Sequence, residues 1–312
     1  GMTEHLRLPP RLRRGDTIGL FCPAGPVQDV GRLQAGIRLI KDQGFEIKLC
    51  GAHGPSDGYL ADSDEQRAAS LHGLWADEEV RALLAIRGGY GCLRLLDRLD
   101  WDLLSRRPKF LIGFSDVTVL LNTLVDRAGI VTVHGPMVTT LSRYDEDVMC
   151  SLFRLLTGHF EEHIRSKKVE VLRGGVGRGR LIGGNLTTLA HLLGTPWECS
   201  WEGKILVIED TGEPLYRIDR MLTQLALAGR FEQLAGLLIG EFDVGSDSIT
   251  NLRLQEAVWS RVLELAPAGY PIWGCFPVGH GKRNLALPLG MEMIMDSGSG
   301  SLHLLADSVV FI

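Results

Sequence analysis

Short, mostly apolar runs alternate with amphipathic segments through the first half of the chain, and this alternation restricts the fold strongly. The apolar runs are Thr17–Cys22, Ile47–Cys50, Ala82–Ile86, Phe110–Gly113 and Ile130–His134. Helical patterns between them cover 30–43, 63–76, 91–99 and 116–128, and the second begins with a Ser-x-x-Gln capping box. Apolar strands separated by helices are typical of a parallel sheet covered on both faces, with ligands at the carboxyl ends of its strands.

The composition changes at about 158–180, where a polar stretch is followed by four glycines within Arg173–Arg180. Beyond it, strands are predicted at 204–209 and 235–242, helices at 216–229 and 250–265, and a β-rich stretch at 291–312. We therefore predict an α/β protein with two domains. An N-terminal domain (2–165) has a parallel sheet flanked by helices, a linker covers 166–180, and a C-terminal β-rich α/β domain covers 181–312.

Composition excludes several classes of protein. The 312 residues are 45% hydrophobic and 23% charged, as in globular proteins, and the net charge of −5 disfavours nucleic-acid binding. The six cysteines are widely spaced, which fits reduced thiols in a cytoplasmic protein rather than disulfides or zinc ligands. The apolar stretch after the N-terminal arginines resembles a signal peptide, but Asp16 and Pro23 favour a first strand. No apolar run is long enough for a membrane span.

Glycine is over-represented: 38 of the 312 residues are glycine, about 12% against a usual ~7%. Several lie in Arg87-Gly-Gly-Tyr-Gly91, between a predicted strand and a helical pattern. Its spacing matches neither a dinucleotide fingerprint nor a P-loop, so phosphate binding is disfavoured. Two interpretations stay open: a plain turn, or a pocket whose backbone N–H groups bind a carboxylate or an oxyanion.

A second strand-to-helix turn, Gly113-Phe-Ser-Asp-Val-Thr118, carries a serine. A serine at such a turn can act as an exposed nucleophile, with a neighbouring backbone N–H stabilising an oxyanion. The G-x-S-x-G motif is absent, however, because position 117 is Val. From this segment alone, Ser115 is interpreted more readily as a helix N-cap.

A serine nucleophile needs a base and an acceptor that orients the base. His280, flanked by glycines after an apolar run, and His134, at the end of a strand, are the two candidate bases. Glu209 and Asp210 end the strand Lys204–Glu209 and are the candidate acceptors. Each of these residues could equally have a structural role.

The segment His159-Phe-Glu-Glu-His163 matches the H-x-x-E-H pattern of some zinc peptidases. A glycine precedes it and a Ser-Lys-Lys tract follows, so the segment reads as a polar linker. We expect neither a metal nor a cofactor.

Taken together, the motifs resemble the LD-carboxypeptidases, a serine peptidase family that includes murein tetrapeptide carboxypeptidases. The resemblance spans nearly the whole chain and rests on Arg87–Gly91, Gly113–Thr118, Gly183–Leu186, Leu206–Asp210 and Gly279–His280, with Pro288–Gly290 after them. It implies a triad of Ser115 as nucleophile, Glu209 as orienting carboxylate and His280 as base. It also implies backbone oxyanion donors, mapped onto Asp116, Gly88 and Gly89, and lowers His134 as a rival base.

The resemblance implies a cytoplasmic homodimer that removes the terminal D-alanine of a murein tetrapeptide during cell-wall recycling, with its active site between two domains. A related branch, the microcin C self-immunity peptidases, cleaves peptidyl- or aminoacyl-nucleotides. The short interval between Ser115 and Glu209 leaves little room for that branch's insert, although Trp197 and Trp201 lie within it. A two-domain protein that binds a small anion without catalysis is the third alternative. Arg87 and Arg283 are equal candidates for binding the substrate's carboxylate.

Overall fold

The computed structural model describes residues 6–159, 163–165, 168–245 and 247–312. The middle of the H-x-x-E-H segment and the first two residues of the predicted linker lie outside these ranges. In chain order, the strands are β1 (Leu6–Leu8), β2 (Thr17–Phe21), β3 (Glu46–Leu49), β4 (Val80–Ala85), β5 (Phe110–Gly113), β6 (Thr132–His134), β7 (His163–Arg165), β8 (Glu170–Arg173), β9 (Val176–Asn185), β10 (Ile205–Thr211), β11 (Gly236–Asp243), β12 (Ile272–Gly274), β13 (Leu287–Leu289), β14 (Glu292–Asp296), β15 (Ser301–Leu304) and β16 (Val309–Phe311). The α-helices are α1 (Val30–Asp42), α2 (Asp64–Ala76), α3 (Trp101–Arg106), α4 (Thr118–Thr123), α5 (Glu146–Leu156), α6 (Leu186–His191), α7 (Leu215–Leu227) and α8 (Ser248–Leu265).

The chain divides into two compact units. Unit 1 comprises Gly1–Phe160, Leu285–Gly290 and Val309–Ile312, and unit 2 comprises Glu161–Asn284 and Met291–Ser308. Two short segments of the predicted C-terminal domain therefore belong to unit 1. The predicted linker, 166–180, contains β8 and the first part of β9, where Gly177 and Gly179 pack closely against backbone carbonyl oxygens. The ideal Cβ of Gly177, for example, would lie 2.1 Å from the carbonyl oxygen of Ala235.

Unit 1 is built on a six-stranded sheet of order β13-β6-β5-β4-β2-β3. The strands β3, β2, β4, β5 and β6 run parallel, and β13 is antiparallel to β6. All four residues of β5 are buried, as expected for a strand covered on both faces. The α/β prediction for the first half is confirmed.

Local sequence signals set the helix boundaries well in this unit. The Ser63 hydroxyl accepts the Gln66 backbone N–H at the start of α2, and Asp64 and Glu65 lie in the first turn. The helix predicted over 91–99 was wrong in extent: only a 3-10 turn forms, Cys92–Leu95. The chain turns again because Asp100 caps the next helix, accepting the Leu103 backbone N–H.

Unit 2 contains an eight-stranded sheet of order β7-β15-β14-β9-β10-β11-β12-β8. Strands β9 to β12 are parallel, whereas β14, β15 and β7 form an antiparallel wing and β8 is antiparallel to β12. One hydrophobic core joins the parallel strands to α6, α7 and α8. The prediction of a β-rich α/β second half is confirmed. No helix among the described residues is long and apolar enough to cross a bilayer.

Candidate active site

Ser115 lies at a strained turn directly after β5. Phe114 is still extended, but Ser115 has a φ of +60°, and the chain then enters a 3-10 turn that leads into α4. Non-glycine residues rarely adopt this conformation, and such strain concentrates at functional sites. The N-cap of this turn is Phe114, so the interpretation of Ser115 as an N-cap was wrong. The backbone instead resembles a nucleophile elbow.

The glycine-rich turn after β4 lies against Ser115. Since β4 and β5 are neighbouring parallel strands, their carboxyl ends meet at the same sheet edge. An ideal Cβ on Gly88 would lie 3.2 Å from the Ser115 Cβ and 3.3 Å from its Oγ. Gly89 and Gly91 have φ angles of +107° and +144°, which favour glycine. Gly88, one of the two predicted oxyanion residues of the turn, is therefore adjacent to the predicted nucleophile.

The Asp116 side chain ties these two turns together. Its Oδ2 accepts the Cys92 backbone N–H at 2.9 Å, and the Gly91 N–H also donates to this carboxylate. Burial raises the pKa of Asp116 despite these donors, whose hydrogen bonds oppose the shift. Asp116 was predicted only as a backbone donor, so its side-chain role was missed.

Arg67 holds the same glycine-rich turn from its other side. Its side chain is 1% exposed, and its Nη1 donates to the carbonyl oxygens of Gly91 at 2.9 Å and Pro23 at 2.6 Å. The guanidinium also forms an ion pair with Asp64. Sequence reasoning missed Arg67, although its spacing with Leu71 and Leu74 on the buried face of α2 was a signal that it faces inward.

Glu209 and His280 meet within unit 2. Their Oε2 and Nδ1 atoms lie 2.8 Å apart, with the Glu209 side chain fully buried and that of His280 18% exposed. Burial disfavours the imidazolium, but Glu209, with smaller contributions from Asp210 and Asp243, outweighs it and raises the pKa of His280. This arrangement can hold an imidazole in one orientation and stabilise its protonated form.

Asp210 lies next to Glu209 but points into a separate network. As consecutive residues of β10, the two side chains point to opposite faces of the sheet, and both are buried. Asp210 accepts hydrogen bonds from Asn185 Nδ2 at 3.1 Å, from the Thr187 backbone and hydroxyl, and from the Thr211 backbone. Burial and the neighbouring Glu209 raise its pKa to about 6.

The Gly183–Leu186 motif supplies part of that network. Asn185 ends β9 and caps α6, since its Oδ1 accepts the Thr188 N–H at 3.1 Å while its amide donates to Asp210. Gly183 has a φ of +118°, and its ideal Cβ would lie 2.1 Å from the Val207 carbonyl oxygen, so only glycine fits there. The motif was singled out, but its contact with Asp210 could not be read from the sequence.

His134, the rival base, is fully buried at the end of β6, where its ring packs edge-on against Phe114 at 6.0 Å. A base that has to meet substrate needs more exposure than this. In unit 1, the Arg87 guanidinium donates to the Pro26 carbonyl oxygen at 2.8 Å. Among the described residues, no group of three or more His, Cys, Asp or Glu side chains could hold a metal ion.

Comparison with known proteins decides the family. Profiles of the LD-carboxypeptidase N-terminal and C-terminal domains match residues 18–135 and 178–295. The murein tetrapeptide carboxypeptidase of Pseudomonas aeruginosa is 36% identical over 301 residues, covering 89% of this chain and 92% of that protein. The chain belongs to the LD-carboxypeptidase family. It is a peptidase, which overturns the alternative of a non-catalytic anion-binding protein.

Solved structures agree with this LD-carboxypeptidase assignment. The muramoyltetrapeptide carboxypeptidase of Oxalobacter formigenes is 30% identical, has a TM-score of 0.78, and the match covers 92% of this chain and 97% of that one. The microcin C7 self immunity protein MccF in its apo state gives a TM-score of 0.86 at 24% identity, covering 97% and 99% of the two chains. The second likeness shows a shared fold.

Proposed function

We propose that this LD-carboxypeptidase removes the terminal D-alanine from murein tetrapeptide, cutting between an L-configured centre and the D-residue. The observation that carries the proposal is the buried Glu209–His280 contact at 2.8 Å. It occurs in a chain that is 36% identical to a murein tetrapeptide carboxypeptidase. The setting that we propose is cytoplasmic cell-wall recycling, carried out by a homodimer.

In the proposed reaction, His280 Nε2 takes the proton of the Ser115 hydroxyl as its Oγ attacks the scissile carbonyl carbon. Glu209 accepts the Nδ1–H of His280 and stabilises the imidazolium that forms. The tetrahedral intermediate carries its negative charge on the former carbonyl oxygen, where backbone N–H groups of Asp116 and the Gly88–Gly89 turn stabilise it. This step requires His280 to reach Ser115 from the other unit, which stays a prediction.

The intermediate then collapses. The C–N bond breaks, His280 gives its proton to the departing amine, and D-alanine leaves, so that Ser115 carries the shortened peptide as an ester. Water, deprotonated by His280, attacks the carbonyl carbon of this ester. The C–Oγ bond then breaks, and His280 returns the proton to Ser115 Oγ, which frees the serine and releases the tripeptide carboxylate. Recognition of the D-alanine carboxylate falls to a cation, for which Arg87 and Arg283 are the candidates.

The test is the release of D-alanine from purified muropeptide tetrapeptide. Replacing the nucleophile in Ser115→Ala should lower kcat by at least ~10³-fold, because the remaining oxyanion donors and binding contacts give only residual catalysis. Ser56→Ala, on an exposed loop of the same unit, is the matched control and should keep full activity. Full activity of Ser115→Ala would contradict the assignment of the nucleophile.

A second candidate is the cleavage of aminoacyl-nucleotides, the reaction that the sequence resemblance implies for the microcin C self-immunity branch, whose fold this chain shares. Stacking on a nucleobase needs an accessible aromatic ring. Trp201 is 5% exposed and packs in the core with its ring 6.4 Å from that of Phe231, which leaves the half-buried Trp197 as the candidate in that interval. An aminoacyl sulfamoyl adenylate assayed beside the muropeptide separates the two: faster turnover of the nucleotide would favour the second candidate.

A further inference from the structure

The segment that carries the proposed base has no regular secondary structure. It covers Gly279–Asn284, between the buried Val278 and β13, and is called the base loop below. A histidine that must accept a proton at a defined position needs a fixed backbone, because a shift of about 1 Å can cost ~10²-fold in rate. What holds this loop is therefore a question of function as well as of stability.

Glu241 contacts the base loop directly. It belongs to β11, the neighbour of the strand that carries Glu209. Its carboxylate accepts the backbone N–H groups of Gly281 and Arg283, the first of which directly follows His280 in the chain. The ideal Cβ of Gly281 would lie 1.6 Å from Glu241 Oε2, so the carboxylate occupies the space that a side chain at 281 would need.

The loop is also held on the other side of His280. The Glu241 backbone N–H donates to the Val278 carbonyl oxygen at 2.9 Å, and Gly279, with a φ of +141°, packs over the Glu241 Cβ. The fully buried Asn284 accepts the Gly279 N–H through its Oδ1 at 3.2 Å. Contacts with β11 thus flank the histidine at both its preceding and its following residue.

The charge of Glu241 is unfavourable for stability alone. Burial raises the pKa of Glu241, and so do the carboxylates of Asp243 on its own strand and Glu209 on the neighbouring strand, while the backbone donors Arg283 and Gly281 lower it. Asp210 and Asp243 also act on His280. A carboxylate placed among acidic groups has an electrostatic cost, which the two loop N–H groups offset in part.

We propose that Glu241 is a positioning residue, whose carboxylate fixes the base loop through the N–H groups of Gly281 and Arg283 and thereby keeps His280 in contact with Glu209. The inference rests on the proposed function for its catalytic consequence, though not for the contact itself. It assigns the strand β11 a part in the reaction besides its place in the sheet.

The first test compares Glu241→Ala and Glu241→Gln with Glu202→Ala, an exposed glutamate of the same unit, as control. Alanine removes both acceptors and should lower kcat by ~10- to 100-fold with a smaller change in KM. Glutamine keeps one acceptor oxygen, so it should restore part of the loss. As the His280–Glu209 contact loosens, the pKa of His280 falls and the acid limb of kcat/KM moves to lower pH.

Loss of folded protein alone would lower the activity by the same factor at every pH and would not move the acid limb of kcat/KM. The pH profile therefore separates a positioning role from an effect on stability. If Glu241→Ala does not fold, Gly281→Ala tests the same contact from the other side, because its methyl group displaces the retained carboxylate. The proposal would be overturned if Glu241→Ala kept the wild-type kcat and its acid limb did not move. If Glu241→Ala does not fold, the same result in Gly281→Ala would overturn it.

A readout without substrate keeps this result distinct from a failure of the proposed function. The imidazole resonances of His280 report its titration by NMR in the free protein. We expect a lower pKa in Glu241→Gln than in the wild-type protein, whatever the enzyme hydrolyses. An unchanged His280 titration would contradict the positioning role, whereas full activity of Ser115→Ala would contradict only the proposed reaction.

Discussion

The acidic surroundings of His280 give a prediction at the scale of the residue. The pKa of this imidazole is raised, chiefly through Glu209, so its protonated form persists above the usual value of 6.5. A base must be neutral to accept a proton, so kcat/KM should fall as pH decreases through a value above 6.5. The midpoint is read from a pH–rate profile.

Removing the partner carboxylate tests the same argument. Glu209→Gln abolishes the negative charge, so the pKa of His280 should fall and the acid limb should move to lower pH. The rate at the optimum should fall by ~10²–10⁴-fold, since the imidazolium loses its stabilising partner. An acid limb that stays in place in Glu209→Gln would show that another group controls it. Asp210, whose pKa is about 6, would then be the next candidate.

The stability contributed by this pair has the opposite pH dependence. Because the folded-state pKa of His280 is raised, the imidazole binds a proton more tightly in the folded chain than in the unfolded one. The resulting stabilisation is fully present below pH 6.5 and is lost as pH rises through the folded-state pKa. Activity and this contribution to stability should therefore change in opposite directions over the same pH window.

At the scale of the element, a side chain at Gly88, in the turn after β4, should impair activity more than stability. Its backbone φ is not in the left-handed region, so alanine adds no conformational strain, but the Cβ would lie 3.2 Å from the Ser115 Cβ. We expect Gly88→Ala to lower kcat/KM by ~10- to 100-fold through displacement of the nucleophile. Its free energy of unfolding should change by less than ~1 kcal/mol.

The control for this variant is Gly73→Ala on α2, where no atom lies within 4 Å of the ideal Cβ. Alanine there should stabilise the protein by ~0.5–1 kcal/mol, because glycine is a poor helix former, and should leave kcat/KM unchanged. Urea unfolding and steady-state kinetics on both variants give the comparison. Equal kinetics for the two would contradict the crowding argument.

Periodicity and capping residues predicted most elements of the parallel sheets, because those signals are local. Strand β5 was predicted with its observed bounds, and α2 begins at its Ser63 cap. The parts that sequence reasoning missed depend on distant contacts. The role of Arg67 depends on the contact of α2 with the glycine-rich turn. The strand within the predicted linker likewise packs through Gly177 against Ala235, a residue distant in the sequence.

At the scale of the whole molecule, the chain returns to unit 1 after completing most of unit 2. Strand β13 pairs antiparallel with β6, so that Leu287 lies opposite His134, and β16 pairs with β1. A division of the sequence into consecutive domains does not predict these returns, because three-residue strands carry little periodic signal. The stability of unit 1 should therefore depend on residues that follow unit 2 in the chain.

Leu287 offers a direct test of this dependence, since its side chain is fully buried. Leu287→Ala should cost ~2–5 kcal/mol, and the loss should fall on unit 1. Amide hydrogen exchange should show reduced protection at Ile112 and Val133 in unit 1, with Val207 and Leu238 in unit 2 less affected. Leu302→Ala, equally buried in unit 2, should give the reverse pattern. If Leu287→Ala instead weakened protection mainly in unit 2, β13 would be stabilising the unit that precedes it in the chain rather than the sheet that it joins.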